Sequence, residues 1–172
     1  MANWIPTEEE CLKLLRKEGA SEAVISHSKT VVEQVKKMIQ SQSVDRKIIL
    51  AGAWLHDIGR SKTHGAKHGV IGARILREHE INDKIVKIVE RHVGAGIPKT
   101  EAVKIGIPKK DYIPETLEER IVCYADKLAI GSYIGTEEEV IFEFKKKLGS
   151  NHPAVDRLRK FLYEMKSFLE GK

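Results

Sequence analysis

Seven histidines occur in this 172-residue chain, and five of them (His56, His64, His68, His79 and His92) fall within 37 residues. Imidazole is the commonest metal ligand and the side chain that titrates nearest neutrality. His56-Asp57 is the sharpest pair. Neighbouring helical residues point about 100° apart, so the two converge on one object only where a helix ends, and Gly59 ends it two residues later. A carboxylate at the tip of a buried helix is costly unless something compensates it. Asp126 poses the same problem inside the apolar run Ile121–Ile130, and His27 sits among Val24, Ile25, Val31 and Val32. A mononuclear site can be built from His27, His56, Asp57 and Asp126. Its mixed N/O set suits Mn, Fe, Co, Ni or Zn, whereas Mg prefers oxygen alone. His68 opens the next helix and His92 closes the one after. Adding both gives four His and two Asp, enough for two ions bridged by an aspartate, Asp126 being the candidate, in a hydrolytic or oxidative centre.

Each residue also has a plainer reading. His27 alone suits a hydrogen-bonded core position, His56 and His92 suit helix C-termini, and Asp126 could pair with Lys127 or Arg120. Arg91 reads either as a surface charge or as a phosphate clamp. One metal site accounts for the histidines and aspartates together, whereas the plainer readings must each hold separately. His79 and His152 have no such company and read as surface residues.

The elements that must position these groups are helical throughout. Thr7 caps a first helix closed by Gly19, and Ser21 opens a longer one carrying His27. A third runs from about Asp45 to His56-Asp57, apolar almost all round and therefore central, with Gly59 as its C′ residue. Residues 60–66 read as a loop. Helices follow from about Lys67 to His79, with Gly69 and Gly72 allowing close approach, and from Asp83, capped by Asn82, to His92. Residues 93–114 form a long connection with one helical turn after Thr100. Thr116 starts TLEERIVCYADKLAIG as a capping box with Glu119 at N3. Terminal helices run from about Thr136 to Leu148 and from Pro153 to Leu169. Trp54 reads as core, Trp4 as a staple for the first helix, and Lys145-Lys146-Lys147 as a solvated face. The expected architecture is all-α, a single domain over 1–172.

The order His27, His56-Asp57, Asp126 resembles the HD superfamily of metal-dependent phosphohydrolases. AGAWLHDIGR is similar to its central motif and YADKLA to its terminal Asp motif, the resemblance covering about residues 21–135, with the helices over about 136–170 completing or flanking that core. HGVIGA and VERHVGAG resemble the dinuclear branch, which includes symmetrical dinucleoside-tetraphosphate hydrolases and HD-GYP phosphodiesterases. There the residues matching His68 and His92 ligate a second metal. The stretch Arg91-His92-Val93-Gly94-Ala95-Gly96-Ile97-Pro98 departs from the HD-GYP signature in lacking its His-His-Glu and its Tyr, which argues against cyclic-di-GMP. The resemblance implies an HD-type helical bundle and one or two divalent transition metals per chain. It further implies hydrolysis of a phosphoester or phosphoanhydride of a nucleotide-like substrate by a metal-activated hydroxide, Asp57 serving both metal and catalysis. Lys127, Arg60, Lys62 and Lys67 are then candidates to hold phosphate oxygens, and His64 to donate a proton to the leaving group.

Composition bounds the partners. Cys11 and Cys123 have no C-x-x-C spacing, which excludes a disulfide scaffold and a Cys-rich zinc site. MANWIPTEEE is no signal peptide, no apolar stretch is long enough to span a membrane, and the expected address is the cytosol. The formal charge of +5 gives mild support to a phosphate-bearing partner. A second reading is therefore a non-catalytic metal-holding module that binds nucleotide or RNA, although no RNA-binding motif accompanies it. The apolar face Val155, Leu158, Phe161, Leu162, Met165, Phe168 and Leu169 packs either on the core or on a second copy in a homodimer.

Overall fold

Short polar side chains placed just ahead of apolar runs set where the helices begin. In the computed structural model, which describes residues 3–131 and 133–172, the side chains of Thr7, Ser21, Asp45, Asn82, Thr116 and Thr136 all accept N–H bonds from the first turn they precede. Each such cap contributes about 1 kcal/mol. The elements run α1 (Glu8–Lys17), α2 (Glu22–Met38), α3 (Arg46–Leu55), a 3-10 turn at Ile58–Ser61, α4 (His68–Glu78), α5 (Asp83–Arg91), α6 (Lys99–Ile105), α7 (Leu117–Leu128), β1 (Ala129–Ile130), β2 (Tyr133–Ile134), α8 (Glu137–Leu148) and α9 (Pro153–Leu169).

α3 is the central rod. Seven of its residues, Ile48, Ile49, Ala51, Gly52, Ala53, Trp54 and Leu55, are buried, and α1, α2, α5 and α7 pack around it. A second close-packed pair, α4 against α5, stands beside it. Ideal Cβ atoms at Gly69 and Gly72 would lie 2.9 Å from Val93 and 2.8 Å from Val89. Those two glycines let α4 settle onto α5. The core cluster reaches from Cys11 to Met165, so Leu158, Phe161, Leu162 and Met165 of α9 are packed against their own chain, and Val155 is buried as well.

Four local expectations are revised. Gly59 is not a left-handed C′ residue: it sits inside the 3-10 turn, where a Cβ would collide with the His68 carbonyl. Its role is to bring the His56-Asp57 turn against α4. α7 stops at Leu128, because Ala129 is extended and Gly131, with φ of 56°, turns the chain into a small antiparallel hairpin pairing Ala129 with Ile134. The capping box at Thr116 is half made. Its hydroxyl accepts from Glu119 N, but the Glu119 carboxylate accepts instead from Glu115 N (2.7 Å) and Arg91 (3.0 Å). The connection over 93–114 is an ordered lobe. A bridge from Ile97 to Tyr112 closes it, and Ile97, Ala102, Ile107 and Tyr112 form its own small core around α6. Among the described residues no helix is long and apolar enough to cross a membrane.

Candidate metal centre

The last carbonyls of a helix have no intrahelical donor. A histidine placed just past the helix end can supply one from its ring, and this chain uses that device twice. His56 caps α3 and donates Nδ1–H to Ala53 O (2.8 Å), and His92 caps α5 and donates to Val89 O (2.7 Å). His68, the first residue of α4, makes the equivalent bond to Gly65 O at 2.8 Å. A carbonyl only accepts, so in each neutral ring the proton is fixed on Nδ1 and the Nε2 lone pair is left facing the site. The helix-terminal reading of these histidines is therefore the means of aiming them rather than a rival to ligation.

The four rings converge. His27 from α2 lies with its Nε2 2.8 Å from Asp126 Oδ1 of α7. His56 Nε2 is 3.4 Å from the same oxygen. Asp57 divides its carboxylate between two sets. Oδ1 is 3.2 Å from His68 Nε2 and 3.3 Å from His92 Nε2, and Oδ2 is 3.8 Å from His27 Nε2 and 3.7 Å from His56 Nε2. Three sets of ligand atoms, those of His27, His56 and Asp57, of Asp57, His68 and His92, and of His56, His92 and Asp126, each lie within 4.8 Å of one another. Asp57 is common to two of these groups, and Asp126 joins His56 to His92 in the third, so each carboxylate reaches histidines of both halves of the centre.

The donor set fits a cation. His68 Nε2 and His92 Nε2 face each other at 3.0 Å, two lone pairs that repel unless a positive charge lies between them. The His56 Nε2 and Asp57 Oδ1 atoms are buried without a hydrogen bond, and a cation between them would satisfy both. Two carboxylates and four imidazoles without cysteine match a divalent transition metal in an open, hydrolytic type of site. Burial alone would raise the Asp57 carboxyl, but the His56, His68 and His92 rings outweigh it and hold the group well below the usual carboxylate range. Burial likewise opposes ionisation of Asp126, and Lys127 and the rings of His27 and His56 overcome it. Burial pushes His92 down to about 4, which keeps its ring neutral and able to ligate. Burial would lower His56 too, yet Asp57 and Asp126 raise it above its ordinary value.

The centre forms the floor of a cavity of about 700 Å³. Lys127 lines it beside Asp126, which outweighs burial and keeps the ammonium charged. Arg60 lines it with Nε 2.9 Å from Asp57 Oδ2. The other expected phosphate-holding groups lie off the cavity. Lys62 donates to the Glu18 carbonyl (2.8 Å) and pairs with its carboxylate. Arg91 is held by Glu119 and Glu115 at 3.0 and 2.9 Å. Lys67 extends toward Gly106, and His64 is exposed on its loop, its carbonyl accepting from Arg60.

Other groups that line the cavity were not expected there: Lys104 of α6, Lys147 of α8, and His152 and Arg157 around the start of α9. Lys147 shares a helical stripe with Val140, Phe144 and Leu148, all four on the cavity wall. That i, i+4, i+7, i+8 spacing was the available signal that one lysine of the Lys145–Lys147 run faces inward. His152 caps α9 through Nδ1, which accepts from Ala154 N. His79 is no free surface group either, its Nε2 lying 2.7 Å from Glu18.

Residues 24–131 match the family described as HD domain. The chain is 42% identical to the tRNA (cytidine(56)-2'-O)-methyltransferase of Picrophilus torridus, over 97% of this chain and 48% of that protein. It is 45% identical to an uncharacterized protein of Methanocaldococcus jannaschii, over 87% of this chain and 91% of the other. It thus spans about half the length of the methyltransferase and nearly all of the second relative. Among solved structures, the HD domain of the L. monocytogenes phosphodiesterase PgpH in complex with cyclic-di-AMP superposes with a TM-score of 0.56 at 15% identity, over 94% of this chain and 97% of that one. That likeness is one of fold.

Proposed function

This chain belongs to the HD-domain family, and on that premise we propose that it is a metal-dependent phosphohydrolase acting on a nucleotide-like phosphoester or phosphoanhydride. The observation that carries the reading is the Asp57 carboxylate divided between two pairs of imidazoles, three of them with Nε2 freed by an Nδ1–carbonyl bond. In it, His27, His56, Asp57 and Asp126 hold one divalent ion, and Asp57, His68 and His92 a second. Two ions bound there supply charge to stabilise the phosphoryl oxygens and acidify a water to near neutrality.

The remaining work falls to the chain itself. The Lys127 ammonium, charged and facing the cavity, donates to a phosphoryl oxygen and stabilises the charge that grows on it. Arg60 holds Asp57 through Oδ2 and fixes the orientation of the shared carboxylate. The apolar wall beyond the centre excludes water from the organic part of the substrate.

A second reading is favoured by one observation, the likeness to half of a protein named for tRNA methylation. On that view the module holds metal and binds RNA without turnover. Metal analysis with a panel of mononucleotides, dinucleotides and an aryl phosphodiester separates the two. The hydrolase reading expects metal-dependent turnover of at least one phosphoester. Metal-loaded protein that hydrolyses none of them, yet binds tRNA with a steep salt dependence, overturns it.

A further inference from the structure

The cavity is much larger than a phosphate and a metal centre need, and its charges are unevenly spent. At the floor each base has an acid: Arg60 with Asp57 and Lys127 with Asp126. At the mouth the two acids on the wall are also taken. Glu101 makes a two-pronged pair with Arg157 at 3.1 and 2.8 Å, and Glu143 pairs with Lys146 at 3.2 Å. Lys104 of α6 and Lys147 of α8 line the same cavity from exposed positions, away from the buried floor, and among the described residues neither is in an ion pair. His152 joins them. Its Nδ1 is committed as acceptor to Ala154 N, so the neutral ring carries its proton on Nε2 as a free donor. Between floor and mouth the wall is apolar, with Ile97, Ile105, Ile130, Val140 and Phe144.

We propose that Lys104, Lys147 and His152 form a second anion subsite, and that the substrate is a nucleotide with a further phosphate set apart from the reacting one by its nucleoside. This deepens the hydrolase reading and rests on it. The reacting phosphate meets the floor, the base and sugar fill the apolar middle, and the second phosphate meets the lysines. A cavity of about 700 Å³ lies within the roughly 300–1,000 Å³ usual for small-molecule sites. Lys147 and His152 lie beyond the segment that matches the HD domain. Two of the three selecting groups are therefore supplied by the C-terminal helices rather than by the family's shared core.

The test is calorimetric binding of adenosine 5'-monophosphate and adenosine 3',5'-bisphosphate to the metal-loaded full chain. The bisphosphate is expected to bind about tenfold more tightly, the worth of one extra charge-assisted contact. Lys104→Gln and Lys147→Gln are expected to remove most of that advantage while leaving metal content, helical circular dichroism and monophosphate affinity unchanged. Both lysines are exposed, so neither substitution threatens folding. Equal binding of the two nucleotides by the parent chain overturns the proposal, and so does a tenfold preference that survives both substitutions together. Failure of the hydrolase reading looks different: no turnover of any phosphoester, with the preference for the bisphosphate intact.

Discussion

The two ends of the cavity are built from opposite materials. The floor uses residues at helix termini, His56 after α3, His92 after α5 and His68 at the start of α4, whose rings are locked to backbone carbonyls. The mouth uses the flexible tips of exposed lysines on α6 and α8. Groups that must hold an ion cannot keep rotamer freedom, because each lost degree of freedom would otherwise oppose binding. Groups that select among substrates can keep theirs. The sharpest way to break this contrast is at Asp57, the carboxylate common to two of the three ligand groups. Asp57→Ala is expected to abolish metal retention and to lower turnover by about 10³-fold or more. In the presence of a chelator the variant should melt below the parent temperature, since Arg60 and the facing imidazoles lose the carboxylate that they hold ionised. Unaltered metal content in that variant would sink the ligand assignment.

His92 sharpens the contrast within the floor. It belongs to two of the three ligand groups, with Asp57 and His68 and with His56 and Asp126, while His27, His56 and Asp57 form the third. His92→Ala is expected to drop occupancy from about two ions per chain to about one. Inductively coupled plasma measurement of metal per chain decides it, and full occupancy would remove the second ion from the proposal. The same residues show why the floor was legible in sequence. Histidine and aspartate are conspicuous when they interrupt apolar runs such as 121–130, and Gly59 and Gly94 follow His56-Asp57 and His92 by two residues. The division of labour inside the floor was not legible. That Asp57 reaches His68 and His92 depends on how the 3-10 turn packs against α4, a contact set by the missing Cβ of Gly59.

The mouth was nearly invisible from sequence, for a physical reason. A lysine on the rim of a cavity is solvated like any other, so composition cannot separate Lys147 from Lys145 and Lys146. Only its phase with Val140 and Phe144 does so, and that phase matters only once α8 is known to lie over the site. Arg91 and Lys62 failed in the reverse direction: near in sequence to the ligands, they are spent on Glu119 and Glu18. Phe144 tests the wall between the two ends. Phe144→Ala is expected to raise KM several-fold through lost apolar contact with the substrate, about 1–2 kcal/mol for a partly buried ring, with metal content and kcat unchanged. A fall in kcat without a change in KM would place the ring's role at the floor instead.

The smallest effect is expected behind the site, where neither end of the cavity is touched. Glu18 closes α1 and holds both His79 (2.7 Å) and Lys62 (3.5 Å), tying the end of α4 and the loop after the 3-10 turn to the first helix. The hydrogen bond from His79 leads the influences on its carboxyl. Together with Lys62 it outweighs partial burial and lowers the group from its ordinary 4.5. A carboxylate that ionises more readily folded than unfolded stabilises the fold above the unfolded value, and that contribution disappears as pH falls through the folded one. Glu18→Gln should therefore cost stability at pH 7, by about 1 kcal/mol for a half-buried pair at the rim of the fold, and the gap to the parent should close below pH 4.5. Denaturant melts at pH 7 and at acid pH read the difference directly. Metal retention should stay at the parent level, because the ligands are positioned by their own helix ends rather than from behind. A Glu18→Gln variant that lost metal would show that the floor depends on this tether, and would erase the contrast between a self-locked floor and an adjustable mouth.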